Sequence, residues 1–191
     1  MATPQRSGLS GEEYLAWEAE QQEKHEFMAG EIFAMVGASA RPVTICLNIA
    51  SAFREHLRGG PCRTYIADMK LRVEAVDAWF YPDVMVSCDP ADQARELDKT
   101  SPLLIVEVLS PSTEAFDRGA KFAAYRTLRS LKEYLLIDPD SGSVELYRRD
   151  ADDHWVLFAD ENEQAVDLQS IDLQLARATI FEDAELKTGN P

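Results

Sequence analysis

Leu103-Leu104-Ile105-Val106-Glu107-Val108-Leu109, bounded by Pro102 and by Ser110-Pro111-Ser112-Thr113, is an apolar run interrupted by a single acid. A run of this length without polar alternation has the pattern of a central strand buried on both faces. Downstream, the spacing predicts a helix over residues 116–128, with Asp117, Lys121 and Tyr125 at four-residue steps on one face and Phe122 and Ala123 beginning the apolar side. Residues 133–137 read as a second buried strand. Upstream lie strand-like runs at 63–67, 70–76 and 84–88, and then a polar stretch from Asp89 to Ser101 that reads as a loop. This order of strand, strand, helix and strand implies an α/β fold whose mixed sheet combines a right-handed crossover with antiparallel hairpins.

The flanks add simpler elements. Ser10-Gly11-Glu12-Glu13 matches a capping box, so a short helix should run to about Gln22. Residues 25–28 and 31–35 flank Ala29-Gly30 and predict a tight hairpin. Between Pro42 and Leu57 the apolar residues Val43, Cys46, Leu47, Ala50, Phe53 and Leu57 recur at three- and four-residue steps, as in an amphipathic helix stopped by Gly59-Gly60. Residues 143–149, 154–159 and 165–168 read as an antiparallel meander.

With 191 residues, 46% hydrophobic and 28% charged, the chain can bury one substantial core, and no linker or repeat divides it. We therefore expect one domain over residues 1–191, with a core at about 10–183. Nineteen Lys and Arg against 34 Asp and Glu leave a net charge of −15, which repels phosphate backbones and anionic membranes. A local basic rim is nevertheless expected from Arg118, Lys121, Arg126, Arg129 and Lys132. The absence of a secretory h-region or a spanning apolar run points to a cytoplasmic protein with no membrane partner. Cys46, Cys62 and Cys88 lack metal-binding spacing and read as reduced thiols.

Two acids stand apart because each is attached to a strand-forming run: Asp83, after Tyr81-Pro82, and Glu107. A buried carboxylate is costly without a compensating cation. Here the cation is either a divalent ion shared by both acids or the ammonium of Lys121. If their strands are neighbours, the two carboxylates converge on one Mg2+, which takes oxygen ligands at about 2.0–2.1 Å and activates water. The competing reading is a Glu107–Lys121 salt bridge of purely structural value. Trp79-Phe80-Tyr81 offers either a stacking surface for unpaired bases or ordinary packing. Asp68 reads as a turn residue. There is no GxSxG elbow, GxGxxG string or Walker A loop, and paired carboxylates of the glycosidase type do not call for the lysine.

The ordered set Tyr81-Pro82-Asp83-Val84-Met85-Val86, Glu107-Val108-Leu109-Ser110-Pro111-Ser112-Thr113, Asp117, Lys121, Tyr125 and Glu133-Tyr134-Leu135-Leu136-Ile137-Asp138 resembles the Uma2 family of endonucleases, within the PD-(D/E)XK nuclease superfamily. Tyr14, the segment from Glu26 to Gly30, the long helix and the meander fall in the same order as in that family. The resemblance implies a restriction-endonuclease-like mixed β-sheet flanked by helices. It also implies hydrolysis of nucleic-acid phosphodiesters, DNA foremost, with Mg2+ as the cofactor or Mn2+ in its place. Asp83 and Glu107 would be metal ligands, the Val108 carbonyl a further ligand, Glu26 an acid reaching in from the N-terminal region and Lys121 the catalytic lysine. The superfamily's usual lysine position, two residues after the glutamate, holds Leu109, so the amine must come from the following helix. Pro42 stands where similar proteins often carry a histidine. That departure keeps open an inactive, nuclease-like binding or regulatory protein acting as a homodimer.

Overall fold

A computed structural model describes residues 6–35, 37–159 and 164–184. In chain order the elements are β1 (Arg6–Ser7), α1 (Gly11–Glu18), β2 (His25–Met28), β3 (Glu31–Ala34), α2 (Ala40–His56), β4 (Arg63–Ile66), β5 (Lys70–Val73), β6 (Ala78–Phe80), β7 (Val84–Ser87), α3 (Pro90–Ala94), β8 (Asp98–Lys99) and β9 (Pro102–Val108). Next, α4 (Glu114–Phe116) runs through a π-helical turn, Asp117–Lys121, into α5 (Phe122–Tyr125). The chain then forms β10 (Glu133–Ile137), β11 (Val144–Arg149), β12 (Trp155–Phe158), β13 (Ala165–Leu168), β14 (Leu173–Ala176) and α6 (Arg177–Ile180).

The central sheet has the order β12-β11-β10-β9-β7-β4, and a second sheet has the order β1-β3-β2-β6-β5-β8. Within the central sheet β9 and β10 are parallel, and the other pairs are antiparallel. A parallel pair needs a crossover, and the segment from α4 to α5 supplies it. Strand β9 is buried on both faces as its sequence requires. Leu104, Val106 and Val108 join the core that includes Ile45, Ile49 and Phe53 of α2. Ile105 and Leu109 pack instead with Phe122, Tyr125 and Leu128 of the crossover. Glu107 shares the parity of Ile105 and Leu109, so it faces the crossover.

The capping box at Ser10 and Glu13 is present, and α1 ends earlier than expected, at Glu18. The hairpin β2–β3 turns at Ala29 and Gly30, both with positive φ (49° and 90°). Only glycine takes such a conformation without strain, which is why the turn is legible from Gly30.

Several expectations are corrected. Helix α2 lies where predicted, but its core stripe is Ile45, Ile49 and Phe53, while Val43 and Leu47 are 53% and 63% exposed. The stretch read as a loop over residues 89–101 contains α3 and β8. Buried Asp92 organises it, accepting hydrogen bonds from Ser87 Oγ (2.8 Å), Thr100 N (2.8 Å) and Ser101 N (3.0 Å). Of the two roles open to Trp79, Phe80 and Tyr81, burial selects packing over a stacking surface, and two of the three lie in β6. Strand β13 leaves the meander and pairs with β14, which the sequence reading missed. Cys62 and Cys88 form a disulfide, and only Cys46 is free. The β4–β7 register pairs Arg63 with Ser87, and one further step brings the two cysteines face to face.

Candidate active site

The chain passes from one sheet to the other at Tyr81-Pro82-Asp83, between β6 and β7. Strands β7 and β9 pair Val84 with Val106, so one step further Asp83 stands across from Glu107 on the same face. The Val108 N–H fixes Asp83, donating to Oδ2 at 2.7 Å. The sequence places Asp83 here because Pro82 cannot donate to a ladder and so ends β6 before the turn.

Lys121 lies at the centre. Its Nζ is 2.9 Å from Glu107 Oε1, 2.9 Å from Glu26 Oε1 and 3.4 Å from Asp117 Oδ1. The Tyr125 hydroxyl donates to Glu107 Oε1 at 2.9 Å, and the Tyr81 N–H donates to Glu26 Oε1 at 3.1 Å. Glu26 comes from β2 of the second sheet, and Lys121, Asp117 and Tyr125 from the crossover. The π-helical turn carries Asp117 and Lys121, and such turns recur where a helix must re-aim side chains at a site. Glu107, Lys121, Asp117 and Glu26 are buried, while Asp83 keeps partial exposure.

Charge in this cluster is unbalanced. Four carboxylates, Glu26, Asp83, Glu107 and Asp117, surround one ammonium, a formal excess of three negative charges (4 − 1). Burial pushes the Asp83 carboxyl from its ordinary 3.8 up to about 6, against the Val108 hydrogen bond and the pull of Lys121. Burial drives Glu107 well above the usual carboxylate range, with Lys121 opposing it and Asp83, Asp117 and Glu26 adding repulsion. For Lys121, burial disfavours the charge, but Glu107 and Glu26 outweigh it and hold the amine protonated.

Asp83, Glu107, Glu26 and Lys121, singled out in the sequence, lie together at one place in the structure. The salt bridge between Glu107 and Lys121, posed as the structural alternative, is also present. Asp117 and Tyr125, which the spacing puts on the helical face of Lys121, are buried members of the cluster. Glu18 and His25 escaped notice. Glu18 accepts from the Tyr81 hydroxyl at 3.0 Å and from the His25 N–H at 2.9 Å, bracing the segments that carry Glu26 and Tyr81. Asp68 is exposed and pairs with Lys24, as expected of a turn residue. Arg118 is taken up by Glu114 and Glu145 and does not contribute to a basic rim.

The acids of the cluster offer carboxylate oxygen, the chemistry of a hard divalent cation, and the excess negative charge is what such an ion relieves. Among the described residues no three His, Cys, Asp or Glu side chains converge at metal-binding distance, so the acids are held by Lys121 and by backbone donors. No helix among the described residues is long and apolar enough to cross a membrane.

Mixed sheets, a helical crossover and acids at the mouth of the central strands define the restriction-endonuclease-like fold. The crystal structure of "a putative nuclease belonging to DUF820" from Anabaena variabilis ATCC 29413 superposes with a TM-score of 0.75, covering 93% of this chain and 100% of that one at 18% identity. The chain belongs to the Uma2 family, described as "Putative restriction endonuclease", whose model matches residues 11–178. Two relatives from Synechocystis sp. (strain ATCC 27184 / PCC 6803 / Kazusa) are the uncharacterized proteins slr1290 and sll1609. The first is 40% identical over 173 residues, 91% of each chain. The second is 37% identical over 151 residues, 78% of this chain and 85% of its own.

Proposed function

We propose that this protein is a divalent-metal-dependent endonuclease that hydrolyses phosphodiester bonds of nucleic acid, with DNA as its substrate. The observation that carries the proposal is the meeting of Lys121 with Glu107 and Glu26 at 2.9 Å each, on the face where Asp83 opposes Glu107. A structural ion pair needs one acid for one amine; this cluster commits several buried carboxylates to a single lysine, at a cost in stability.

Asp83 and Glu107, with the Val108 carbonyl, would hold the ion, Mg2+ or Mn2+. When bound, it neutralises phosphoryl oxygens and lowers the pKa of a coordinated water. The chain's own groups do the rest. Tyr125 orients Glu107, and the Val108 N–H orients Asp83. The Tyr81 N–H sets Glu26 against Lys121, whose ammonium is positioned to stabilise charge developing on the scissile phosphate. Asp83, the partly exposed member, is where substrate meets the cluster. We place the chain in the cytoplasm, where the Cys62–Cys88 disulfide has to withstand a reducing poise.

A second reading, a non-cleaving homodimeric binding protein on the same scaffold, draws on the near-complete burial of Lys121 and on Pro42 in the first turn of α2. It also draws on edge strand β12, which exposes Val156, Leu157 and Phe158. Incubation with supercoiled and linear DNA, single strands and RNA, in Mg2+, Mn2+ or chelator, separates the two. Cutting that requires metal and disappears in Asp83→Ala supports the enzyme. Equal cutting by Asp83→Ala, or none under any condition, overturns it.

A further inference from the structure

The basic residues predicted to rim the site divide in the structure. Lys121 and Arg118 are consumed by carboxylates, but Arg126, Arg129 and Lys132 gather with Arg149 around a separate cleft of about 500 Å3, whose other lining residues are Thr127 and Asp153. Four cations face one carboxylate there, in a chain whose total is −15.

The cleft is built around Arg149. Its side chain is 8% exposed, and its guanidinium donates to the carbonyls of Arg126 (2.7 Å) and Leu128 (2.9 Å) and lies 4.9 Å over the Trp155 ring. Arg149 Nε is buried with no acceptor among the described residues. Asp153, 3.5 Å from Arg149 Nη1 and 80% exposed, is a weak partner that an incoming anion can displace. Arg126 lies over the Phe122 ring at 5.3 Å, and neither Arg129 nor Lys132 makes an ion pair with a described carboxylate. Most of the described arginines and lysines are paired with acids or carbonyls. Exposed cations left without acids, around a buried and rigid arginine, form an anion site by elementary electrostatics.

The place of the cleft gives the anion its identity. The crossover that carries Lys121 runs on through Tyr125 into Arg126, and the Lys132 N–H bonds the Leu103 carbonyl at the start of β9. Glu107 lies four residues further along that strand, roughly 13 Å away at about 3.3 Å per residue. A nucleic-acid strand carries a phosphate about every 3.4 Å of axial rise, so one strand can present charge both at the acids and at the end of β9 beside the cleft. Cleft and acidic cluster thus sit at the two ends of one crossover. We propose that Arg126, Arg129, Lys132 and Arg149 hold backbone phosphates of the nucleic-acid strand whose scissile bond lies at the Asp83–Glu107 cluster. The proposal rests on the nuclease reading for the identity of its ligand. The cleft itself is lined by charged and polar side chains and offers no apolar face of its own to insert into a membrane.

Fluorescence anisotropy of labelled single- and double-stranded oligonucleotides, in chelator so that nothing is cut, provides the test. The double variant Arg129→Gln, Lys132→Gln changes two exposed side chains and should melt like the wild type. It is expected to bind at least about tenfold more weakly at low salt and to lower the slope of log K against log salt by about two, one for each phosphate left without its cation. Equal affinity and slope for variant and wild type would overturn the assignment, as would a wild type that binds no oligonucleotide. Retention on phosphatidylserine vesicles in place of oligonucleotides would overturn it in favour of a lipid surface. The readout does not involve hydrolysis. Cleft-dependent binding without metal-dependent cutting would sink the nuclease and leave the phosphate site standing.

Discussion

Two buried glutamates on adjacent parallel strands show how differently a fold can treat the same side chain. Glu133 begins β10 and is 1% exposed; Glu107 lies near the end of β9 and is 3% exposed. Glu133 meets Arg148 Nε at 2.8 Å and also accepts from the Gln169 and Ser170 backbone N–H groups at 3.1 and 3.0 Å. One acid has one cation and several neutral donors, so the site is satisfied. Glu107 shares Lys121 with Glu26 and Asp117 and faces Asp83. Burial alone does not mark a site; burial with too few cations does.

The largest effect expected from this contrast is on catalysis. Glu107→Gln keeps volume but removes charge, and should reduce metal-dependent cutting by about a thousandfold, comparable to removing a group that stabilises transition-state charge. Calorimetric titration should show weakened Mg2+ binding, while far-UV circular dichroism stays unchanged. Glu133→Gln should leave cutting and ion affinity as they are. If both glutamates mattered equally to metal binding, cation shortage would not be what sets Glu107 apart.

Stability should show the same order, with a smaller gap between the two sites. Lys121→Met leaves three buried carboxylates without their amine and should cost about 3–5 kcal/mol, the range for breaking a buried pair from one side. Part of that loss should return on acidification as the carboxyls protonate. Glu133→Gln removes the nearer of Arg148's carboxylate partners, leaving Asp167 at 3.7 Å, and retains neutral hydrogen bonds, so about 2 kcal/mol is expected. Urea unfolding of both variants measures the two losses, and a Lys121→Met protein as stable as the wild type would show that its acids are already neutral.

Glu107 was legible in the sequence because it breaks an apolar run, whereas Glu133, at the edge of one, raised no signal. Asp83 was legible from its place beside a strand-starting proline. The meeting of Glu26 with Lys121 was not a local property. It depends on the chain crossing between sheets at Tyr81-Pro82-Asp83, and only the family likeness placed Glu26 there. Helix α2 announced itself by period, but the three- and four-residue steps fit two adjacent faces. Tertiary packing chose Ile45 and Ile49 over Val43 and Leu47. The spacing of Asp117, Lys121 and Tyr125 fixed a shared face without saying whether it looked inward. The pairing of Cys62 with Cys88 follows from strand register, which nothing in the cysteine spacing encodes.

The pH dependence of stability is the most direct probe of the charge imbalance. A carboxyl with a raised pKa in the native state holds its proton there more tightly than in the unfolded chain, so folding takes up a proton and stability falls as pH rises through the interval between the two values. For Asp83 that interval runs from its ordinary 3.8 to about 6. In chelator, the stability of the wild type relative to Asp83→Asn should drop by about 3 kcal/mol over this interval, since one pH unit across it is worth about 1.4 kcal/mol. The asparagine still accepts from the Val108 N–H, so the comparison isolates the charge. Because Asp83 and Glu107 repel one another, the measured step belongs to the pair. Saturating Mg2+ should flatten it, since an ion that stabilises both carboxylates removes the reason for the proton. A pH-independent difference in chelator would mean that Lys121 and the backbone donors already balance these acids, and Glu107 would then belong with Glu133.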